Sequence, residues 1–389
     1  MSAIAPEKGI ITPALFSSAV TSPRKSASGE SLFDEELMRL YDPPKSGEPY
    51  ENDRLWFDTK RADDILLEML FWFNRGLGHY QHNNVANAPQ NVLMPSVFHG
   101  KVPTQINLDG TSEEEKAIEP MKIGSRDHLQ WLFPTVGSDR RQESTNVYRN
   151  HSLLYHEKPG LYRGEAQHLE PRELEKILRE FKFGIPEDTS RYWPHQARTL
   201  FKCFAGDPIK LLEYCGGTVA GVLAFKKNWR KEVGSLSLPG FGPKITSLLF
   251  LFYEELGKFP MPDDAFAVDV HVQRFFLQTK TVLLKERVIA SMLERVLRPY
   301  LCGFCARFSK SKVDLAHALW QNGAKMCDVC TRQKGADVLC PIEKCCTGPV
   351  STKTYTQKST WEHPLVFQPK YKDRSFSVSE TGTLFSDTA

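Results

Sequence analysis

Two stretches of the sequence place a lysine and an aspartate where each side chain could take part in covalent chemistry. Lys244 follows a glycine-containing turn in LPGFGPKIT, and Asp269 lies further along the chain in VDVHVQR. A lysine amine is a nucleophile when desolvation or nearby positive charge lowers its pKa. A fixed carboxylate stabilises positive charge that develops on a sugar, and it can also deprotonate a nucleophile. The two residue types therefore permit attack on a sugar carbon.

The stretch before Lys244 predicts a tight turn between two helices. Pro239 has no amide hydrogen and glycine tolerates positive φ, so LPGFG does not continue a helix. Pro243 suits the first turn of the following helix. The amides of such a turn and the start of its second helix attract anions, so we predict phosphate contacts at Gly240, Phe241 and Gly242. An ordinary connection between two helices has the same local pattern.

The second stretch predicts another helix start. Asp269 follows an apolar run and precedes a helical pattern, which is typical of an N-cap. His271 and Arg274 come just after it, and we interpret them as residues that orient loops or bind phosphate. A lysine and an aspartate at two helix starts, beside a turn suited to phosphate, form a more specific set than either stretch alone.

Most of the nine cysteines lie between Cys302 and Cys346, which indicates a metal site in a reduced compartment and not a secreted disulfide scaffold. The segment from Cys327 to Cys346 reads CDVCTRQKGADVLCPIEKCC, and thiolates at this density are typical of Zn²⁺ or an iron–sulfur cluster. Cys302 and Cys305 form a separate CGFC pair. This pair could complete a zinc site or act as a redox pair, and packing within a helix is the interpretation we favour.

The combination of LPGFGPKIT and VDVHVQR resembles the helix-hairpin-helix (HhH-GPD) DNA glycosylase superfamily, and within it the endonuclease III-like branch. The hairpin of that family reads L-P-G-V-G-x-K-T-A, and its aspartate segment reads V-D-T-H-V-x-R. The resemblance covers roughly residues 165 to 346 and extends to the helical pattern at 61–75. It implies a mainly α, two-lobed helical fold with a cysteine-rich metal loop near the C-terminus.

The resemblance also implies an activity: base-excision DNA repair by a glycosylase with AP-lyase activity. Lys244 would attack the anomeric carbon with help from Asp269, and β-elimination from the resulting Schiff base would cut the 3′ phosphodiester. In a second hypothesis, a monofunctional glycosylase uses water activated by Asp269 while Lys244 only holds phosphate. A third hypothesis is a non-catalytic DNA-binding protein, and the presence of both Lys244 and Asp269 argues against it. The adenine-mismatch branch lacks the hairpin lysine, so Lys244 disfavours that substrate.

The cysteine segment departs from the spacing of the family's [4Fe–4S] loop, C-x6-C-x2-C-x5-C. Cys330, Cys340 and Cys346 match its first, third and fourth positions, but Asp337 occupies the second. Alternatively, Cys327 is the first ligand and the loop carries an insertion.

We favour this second ligand set: Cys327, Cys330 and Cys340 with Cys346, or with Cys345 in its place. The resemblance implies a [4Fe–4S] cluster. Zinc is the alternative because Cys-x2-Cys is also a zinc spacing. The metal's expected role is to order a basic loop against DNA phosphates, with Arg332, Lys334 and Lys344 supplying charge.

The elements that must position these residues are mostly helical in pattern. Helical patterns occur at 61–75, 171–183, 190–204 (with Pro194 in its first turn), 208–215, 283–298 and 311–325, and strand signals are weak after 165. We predict a long irregular insertion with short strands at residues 76–165. This insertion could shape the pocket that receives the substrate. The predicted divisions are a flexible tail (1–30), an N-terminal helical segment with the insertion (31–165), the glycosylase core (166–326), the metal loop (327–349) and a polar tail (350–389).

Composition supports a globular protein of ordinary kind. The 389 residues are 41% hydrophobic and 25% charged, and the net charge of +3 does not by itself indicate nucleic acid binding. The sequence lacks an 18-residue apolar run and a signal-peptide pattern, so we expect no membrane partner. The expected partner is double-stranded DNA with a damaged base, bound by an intracellular monomer. A base that leaves the duplex needs a wedge, for which Tyr80, Gln81 and His82 are candidates.

Overall fold

The structure is a computed structural model of the 389-residue chain. It describes residues 45, 47–52, 55–78, 80, 101–103, 115–117, 121–139, 144–226, 237–284, 290–327 and 340–346. The two predicted tails lie outside these residues. So do several individually predicted positions: Gln81, His82, Cys330, Arg332, Lys334 and Asp337.

The described part of the chain is mainly helical, with eleven α-helices and little strand, which confirms the mainly α prediction. The helices are α1 (Thr59–Arg75), α2 (Arg126–Ser138), α3 (Ser144–Glu157), α4 (Pro171–Glu180), α5 (Pro186–Phe204), α6 (Pro208–Tyr214), α7 (Val219–Lys226), α8 (Pro243–Glu255), α9 (Val270–Gln278), α10 (Ala290–Arg307) and α11 (Lys312–Gln321). Short 3-10 turns span Pro159–Leu161 and Glu165–His168, and a π-turn spans Asn322–Met326. No helix in these ranges is long and apolar enough to cross a membrane.

Five short strands complete the described elements: β1 (Tyr50–Glu51), β2 (Leu55–Phe57), β3 (Lys101–Pro103), β4 (Glu115–Ala117) and β5 (Val282–Leu284). β1, β2 and β5 form one antiparallel sheet in that order, with Leu55 opposite Leu284 and Phe57 opposite Val282. β3 and β4 form a separate antiparallel pair. The sheet thus joins residues 50–57 to the segment after α9.

Helix α1 confirms the prediction for 61–75, and local signals explain both of its ends. The carboxylate of Asp58 accepts a hydrogen bond from the amide of Arg61, and Gly76 ends the helix in the left-handed conformation at φ 60°. One face of the helix is buried, including Leu66 and Met69. On the same face Asp63 accepts from Tyr300 Oη at 2.7 Å and pairs with Arg307, which ties α1 to α10.

Two helix predictions differ from the structure. Helix α5 begins at Pro186, so Pro194 lies inside the helix and not in its first turn. The reason is that Pro186 already occupies the first-turn position, and the acidic side chains of its first turn suit a helix start. The predicted helix at 283–298 was also wrong at its beginning. Residues 282–284 form β5 because β2 pairs with them across a long sequence separation, and the helix there is α10.

The prediction that 76–165 is irregular was wrong for much of its second half. Helices α2 and α3 lie there, and Ser125 caps α2 by accepting a hydrogen bond from the amide of His128. Trp131, Leu132 and Phe133 of α2 are fully or almost fully buried, so this helix is part of the core. The short strands expected in this region are present as β3 and β4.

Candidate active site

Lys244 is the second residue of α8, and Pro243 occupies the first position as predicted. The first helical hydrogen bond runs from Thr246 N to Gly242 O at 2.9 Å. The Lys244 side chain is one-third exposed, and its Nζ donates to the backbone oxygen of Asp139 at 3.4 Å. Its distance to Asp139 Oδ1 is 3.9 Å. The amine is therefore held at a defined place but remains reachable from solvent.

The turn before Lys244 is held by side chains of α5. Gly240 has φ 91°, a left-handed conformation that favours glycine, and Phe241 N closes the turn on Leu238 O at 3.3 Å. The buried amide of Gln196 donates to Pro239 O at 2.6 Å. The structure thus confirms the glycine turn and the helix after it. Residues 227–236, where the end of the hairpin's first helix was expected, lie outside the described residues.

The amides with no hydrogen-bond partner near this turn, among the described residues, are only in part those that we predicted as phosphate contacts. The N–H groups of Phe241 and Gly242 are used inside the turn, by Leu238 O and Gly240 O. The N–H groups of Lys244 and Ile245 have no hydrogen-bond partner in the described ranges. The N-cap residue is Gly242, which has no side chain that could accept from them. Unpaired amides at a helix start bind anions. Lys244 and Ile245 are therefore better candidates for phosphate donors than Phe241 and Gly242.

Phe241 also has a different side-chain role from the one expected of a DNA contact. Its ring is fully buried and stacks on Phe133 of α2, with ring centroids 4.9 Å apart and an interplanar angle of 27°. This ring anchors the turn in the core. Gly240 stays a predicted phosphate contact, since its amide has no recorded partner in the part of the chain that the structure describes.

Asp269 is the N-cap of α9, as the sequence predicts. Its Oδ1 accepts from the amides of His271 and Val272, both at 2.9 Å. The structure records no hydrogen bond to Oδ2 from any residue it describes. One oxygen therefore fixes the carboxylate on the helix, and the other is available to a ligand.

Lys244 and Asp269 line the same cavity, which is open to solvent at its mouth. Leu248, Leu251, Phe252 and other apolar side chains form much of its wall. Four further side chains with polar groups also line it: Asp139, Ser144, His317 and Trp320. A mostly apolar cavity with a few converging polar groups is typical of a small-molecule or nucleotide site.

Sequence reasoning missed Asp139. It ends α2 and is almost fully buried, and both of its carboxylate oxygens accept from Ser144 Oγ at 3.0 Å. No local pattern around Asp139 indicates this role. The residue meets Lys244 only because α2 and α8 pack together.

His271 and Arg274 lie on α9, but neither offers an exposed charged group for phosphate. Arg274 is 6% exposed, and its Nε has no hydrogen-bond partner in the described part of the chain. His271 packs against Gly323 of the π-turn, where an added Cβ would come within 2.5 Å of His271 Cβ. The proposed role in orienting neighbouring segments therefore fits both residues better than phosphate binding does.

The π-turn brings part of the cysteine segment onto α9. Cys327 Sγ lies 3.6 Å from Gln278 Oε1 and 3.9 Å from Asn322 Oδ1, while the amide of Asn322 donates to Cys340 Sγ at 3.3 Å. Cys345 interacts electrostatically with Cys346 and Cys340, but burial is the main reason that its pKa rises to about 11. Four of the predicted thiols therefore gather in one region. No group of three or more donors that could hold a metal ion is present among the described residues, and Cys330 lies outside them.

Two other sequence hypotheses concern side chains near these cysteines. Tyr80 is buried, and its hydroxyl donates to Ala318 O at 3.0 Å, so Tyr80 is not a wedge for DNA. Burial raises the pKa of Tyr80 well above its usual range, and the neighbouring Cys340 and Cys327 raise it further. Cys302 and Cys305 lie within α10. Burial raises their pKa values to about 11 and about 12, which agrees with the packing role that we favoured.

No protein-family model and no curated protein matches the sequence. Chemically, the cavity combines an amine, a carboxylate with one unpaired oxygen and an adjacent helix start that attracts anions. This set suits a reaction on a phosphate-bearing sugar, in which an amine or a water attacks carbon and a carboxylate stabilises the resulting charge.

Proposed function

We propose that this protein is a DNA glycosylase with AP-lyase activity, built on the helix-hairpin-helix glycosylase fold. The observation that carries the proposal is that Lys244 and Asp269, which come from separate helix starts, line one cavity. A helix start with unpaired amides lies beside this lysine. The substrate is double-stranded DNA that contains a damaged or modified base, and the base must leave the duplex to reach the cavity.

The glycine turn and the start of α8 hold the DNA backbone in this proposal. A phosphate oxygen accepts from the unpaired amides of Lys244 and Ile245, and the positive end of the helix dipole adds to the attraction. Such contacts position the sugar without reading the sequence. They also explain why the turn is anchored by Phe241 and Gln196, because an anion held by backbone groups needs a backbone that does not move.

The reaction begins when the unprotonated amine of Lys244 attacks the anomeric carbon. The C–N bond to the base breaks, and the base leaves with the bonding electron pair and takes up a proton. Asp269 stabilises the positive charge that builds on the sugar, through the oxygen that is not used to cap α9. Loss of a proton and ring opening give a Schiff base between Lys244 and the sugar. Removal of a C2′ proton then expels the 3′ phosphate by β-elimination.

One observation favours a second candidate, the monofunctional glycosylase. Lys244 is engaged by both the backbone oxygen and the carboxylate of Asp139, as expected for a lysine that only positions charge. In that case a water bound at Asp269 Oδ2 attacks the sugar, the base leaves as before, and no covalent complex forms. The two candidates differ in whether an enzyme–DNA adduct exists.

A metal cofactor belongs to the proposal but takes no part in these steps. Sulfur ligands suit an iron–sulfur cluster or zinc. Asn322 contacts both Cys327 and Cys340, Cys345 interacts electrostatically with Cys340 and Cys346, and Cys330, which lies outside the described residues, would complete the set. When bound, the metal supplies structural order to the loop between Cys327 and Cys340. In this view, the protein's own residues perform base excision.

Borohydride trapping tests the proposal. Borohydride reduces a Schiff base and so fixes the protein to DNA. Duplexes would carry an oxidised pyrimidine, an oxidised purine, uracil, an alkylated base or an abasic site, and base release would be measured in parallel. We expect a trapped complex with at least one duplex and none with Lys244→Ala. Lys258→Ala, at an exposed lysine, is the matched control and should trap like the unaltered protein.

Other outcomes separate the alternatives. Base release without trapping would select the monofunctional glycosylase, provided that Asp269→Asn abolishes release. Binding to DNA without release or trapping on any duplex would leave a DNA-binding protein and would overturn the proposed activity.

A further inference from the structure

One side chain that lines the cavity with Lys244 and Asp269, His317, belongs to a buried histidine–glutamate pair. His317 of α11 contacts Glu255 of α8 through its Nε2 and the Oε1 of the glutamate. The side chains are 10% and 4% exposed, respectively. The other carboxylate oxygen, Glu255 Oε2, is buried and has no hydrogen-bond partner in the described ranges. The contact of Oε1 with His317 is therefore the hydrogen bond that the structure records for this carboxylate.

This contact determines how the imidazole is presented. A carboxylate accepts a hydrogen bond, so the proton shared with Glu255 is on Nε2. The carboxylate of Glu255 then holds the ring through Nε2. Carboxylates that accept a hydrogen bond from one ring nitrogen commonly orient functional histidines in this way. The structure records no hydrogen bond to Nδ1 from the residues it describes, and Nδ1 is not among the buried atoms that lack partners. Nδ1 is therefore at least partly exposed, while His317 as a whole is 8% exposed.

The same cavity also offers an aromatic surface on α11. Trp320 follows His317 by three positions on α11, lines the same cavity and is partly exposed. Residues three apart on a helix lie on the same face. A flat indole and an imidazole nitrogen with no hydrogen bond to the described residues together suit a planar heterocycle, which stacks on the first and forms a hydrogen bond at its edge with the second.

We infer that His317 and Trp320 bind the extruded base while Lys244 acts on its sugar, with Glu255 as the positioning residue for His317. The ligand class is a purine or pyrimidine that carries a polar group on the edge facing Nδ1. This inference depends on the proposed glycosylase function. It adds a part of the cavity that neither sequence motif contains, because His317 and Trp320 lie outside both LPGFGPKIT and VDVHVQR.

The test compares two substrates that differ only in the base. His317→Leu should slow release of the preferred base by roughly 10- to 100-fold, which is the size of effect expected from one lost hydrogen bond in a buried site. The same variant should still cut and trap an abasic duplex within about threefold of the unaltered protein, since that substrate has no base to bind. His317→Gln, which keeps a polar side-chain end, should recover part of the base release.

Two further comparisons make the result decisive. His156→Leu is the matched control at an exposed histidine and should leave both reactions unchanged. If His317→Leu slows the base-containing and abasic reactions equally, or slows neither, the inference is wrong even though the glycosylase proposal stands. If the unaltered protein neither releases a base nor traps DNA, the proposed function has failed first, so the two failures are distinguishable.

Discussion

The Nζ atom of Lys244 lies 3.4 Å from the backbone oxygen of Asp139 and 3.9 Å from its Oδ1. Asp139 is 4% exposed and is itself held by Ser144, so the lysine is oriented by a carboxylate that has little freedom to move. This relationship links α2, where no functional residue was expected, to the helix that follows the glycine turn.

Replacing Asp139 by asparagine should therefore slow the reaction of Lys244 with DNA without unfolding the protein. Asp139→Asn keeps the shape of the side chain and one oxygen that can accept from Ser144, but it removes the negative charge next to Lys244. We expect trapping on an abasic duplex to slow by about tenfold or more, because small misplacements of a reacting group are costly. Single-turnover trapping measures this rate. Asp263→Asn, at a fully exposed aspartate, is the control, and equal rates for all three proteins would show that Asp139 does not orient Lys244.

Two substitutions of Asp269 should separate its cap from its chemistry. Asparagine is also a good N-cap, so Asp269→Asn should retain the hydrogen bonds to His271 and Val272 and unfold at nearly the same temperature. Asp269→Ala should lose about 1 kcal/mol of stability. Both should lose base release, because both lack the carboxylate. Thermal unfolding and a glycosylase assay measure the two effects, and an active Asp269→Asn would show that the cap is the residue's whole role.

The contact between Gly323 and His271 predicts a long-range effect on Asp269. A Cβ at Gly323 would meet His271 Cβ at 2.5 Å, so Gly323→Ala should displace the first turn of α9, which Asp269 caps. We expect a loss of about 1–3 kcal/mol in stability together with slower base release. Gly303→Ala in α10 has no atom near the added methyl group and should be neutral or slightly stabilising. Equal behaviour of the two variants would contradict this view of the π-turn.

Stability should fall in mild acid because of two buried histidines. Burial lowers the pKa of His151 from 6.5 to about 3 and that of His128 from 6.5 to about 4. Below about pH 6.5 these two histidines bind protons in the unfolded chain but stay neutral in the folded chain. Their contribution to the free energy of unfolding is therefore fully present above that pH and is lost as the pH falls towards 4. Each histidine contributes a slope of roughly 1 kcal/mol per pH unit in this window.

Denaturant unfolding at about pH 7 and about pH 5 measures this slope. The Nδ1 of His151 lies 2.7 Å from Tyr162 Oη, whose hydrogen is donated to His151 O. His151→Gln preserves a polar group towards Tyr162 without titrating, so its slope should be smaller than that of the unaltered protein. An unchanged slope would show that His151 does not contribute to the acid sensitivity. His156→Gln, at an exposed histidine, should leave the slope unchanged and is the control.

The cysteine segment predicts bound metal with a specific last ligand. Cys345 is buried, and its Sγ donates to Ile342 O at 3.4 Å within the local turn, whereas Cys346 is more exposed. We therefore expect Cys346→Ser to reduce the iron or zinc content of the purified protein more than Cys345→Ser does. Elemental analysis and the visible absorption of an iron–sulfur cluster measure the content. Cys203→Ser, at an exposed thiol away from this segment, is the control, and metal-free unaltered protein would refute the cofactor.

Local sequence signals accounted for the two helix starts of the site. Pro243 begins α8, Gly240 takes a positive φ before it, and Asp269 caps α9, all as predicted. Each of these features depends on interactions within a few residues: a missing amide hydrogen, an absent Cβ, or a carboxylate that reaches the next amides. Such interactions can be read from a short stretch of sequence.

Other features were decided by tertiary structure. Asp139 and His317 meet Lys244 and Asp269 only through the packing of α2, α8, α9 and α11, and Glu255 of α8 likewise meets His317 of α11. No local pattern reports which helix faces will meet. Residues 282–284 form a strand because β2 lies beside them, and the ring of Phe241 is buried because Phe133 stacks on it. The sequence by itself determined where the helices carrying Lys244 and Asp269 begin. Only tertiary packing decided that the two residues share one cavity, because contacts between distant segments depend on the whole fold and not on local backbone preference.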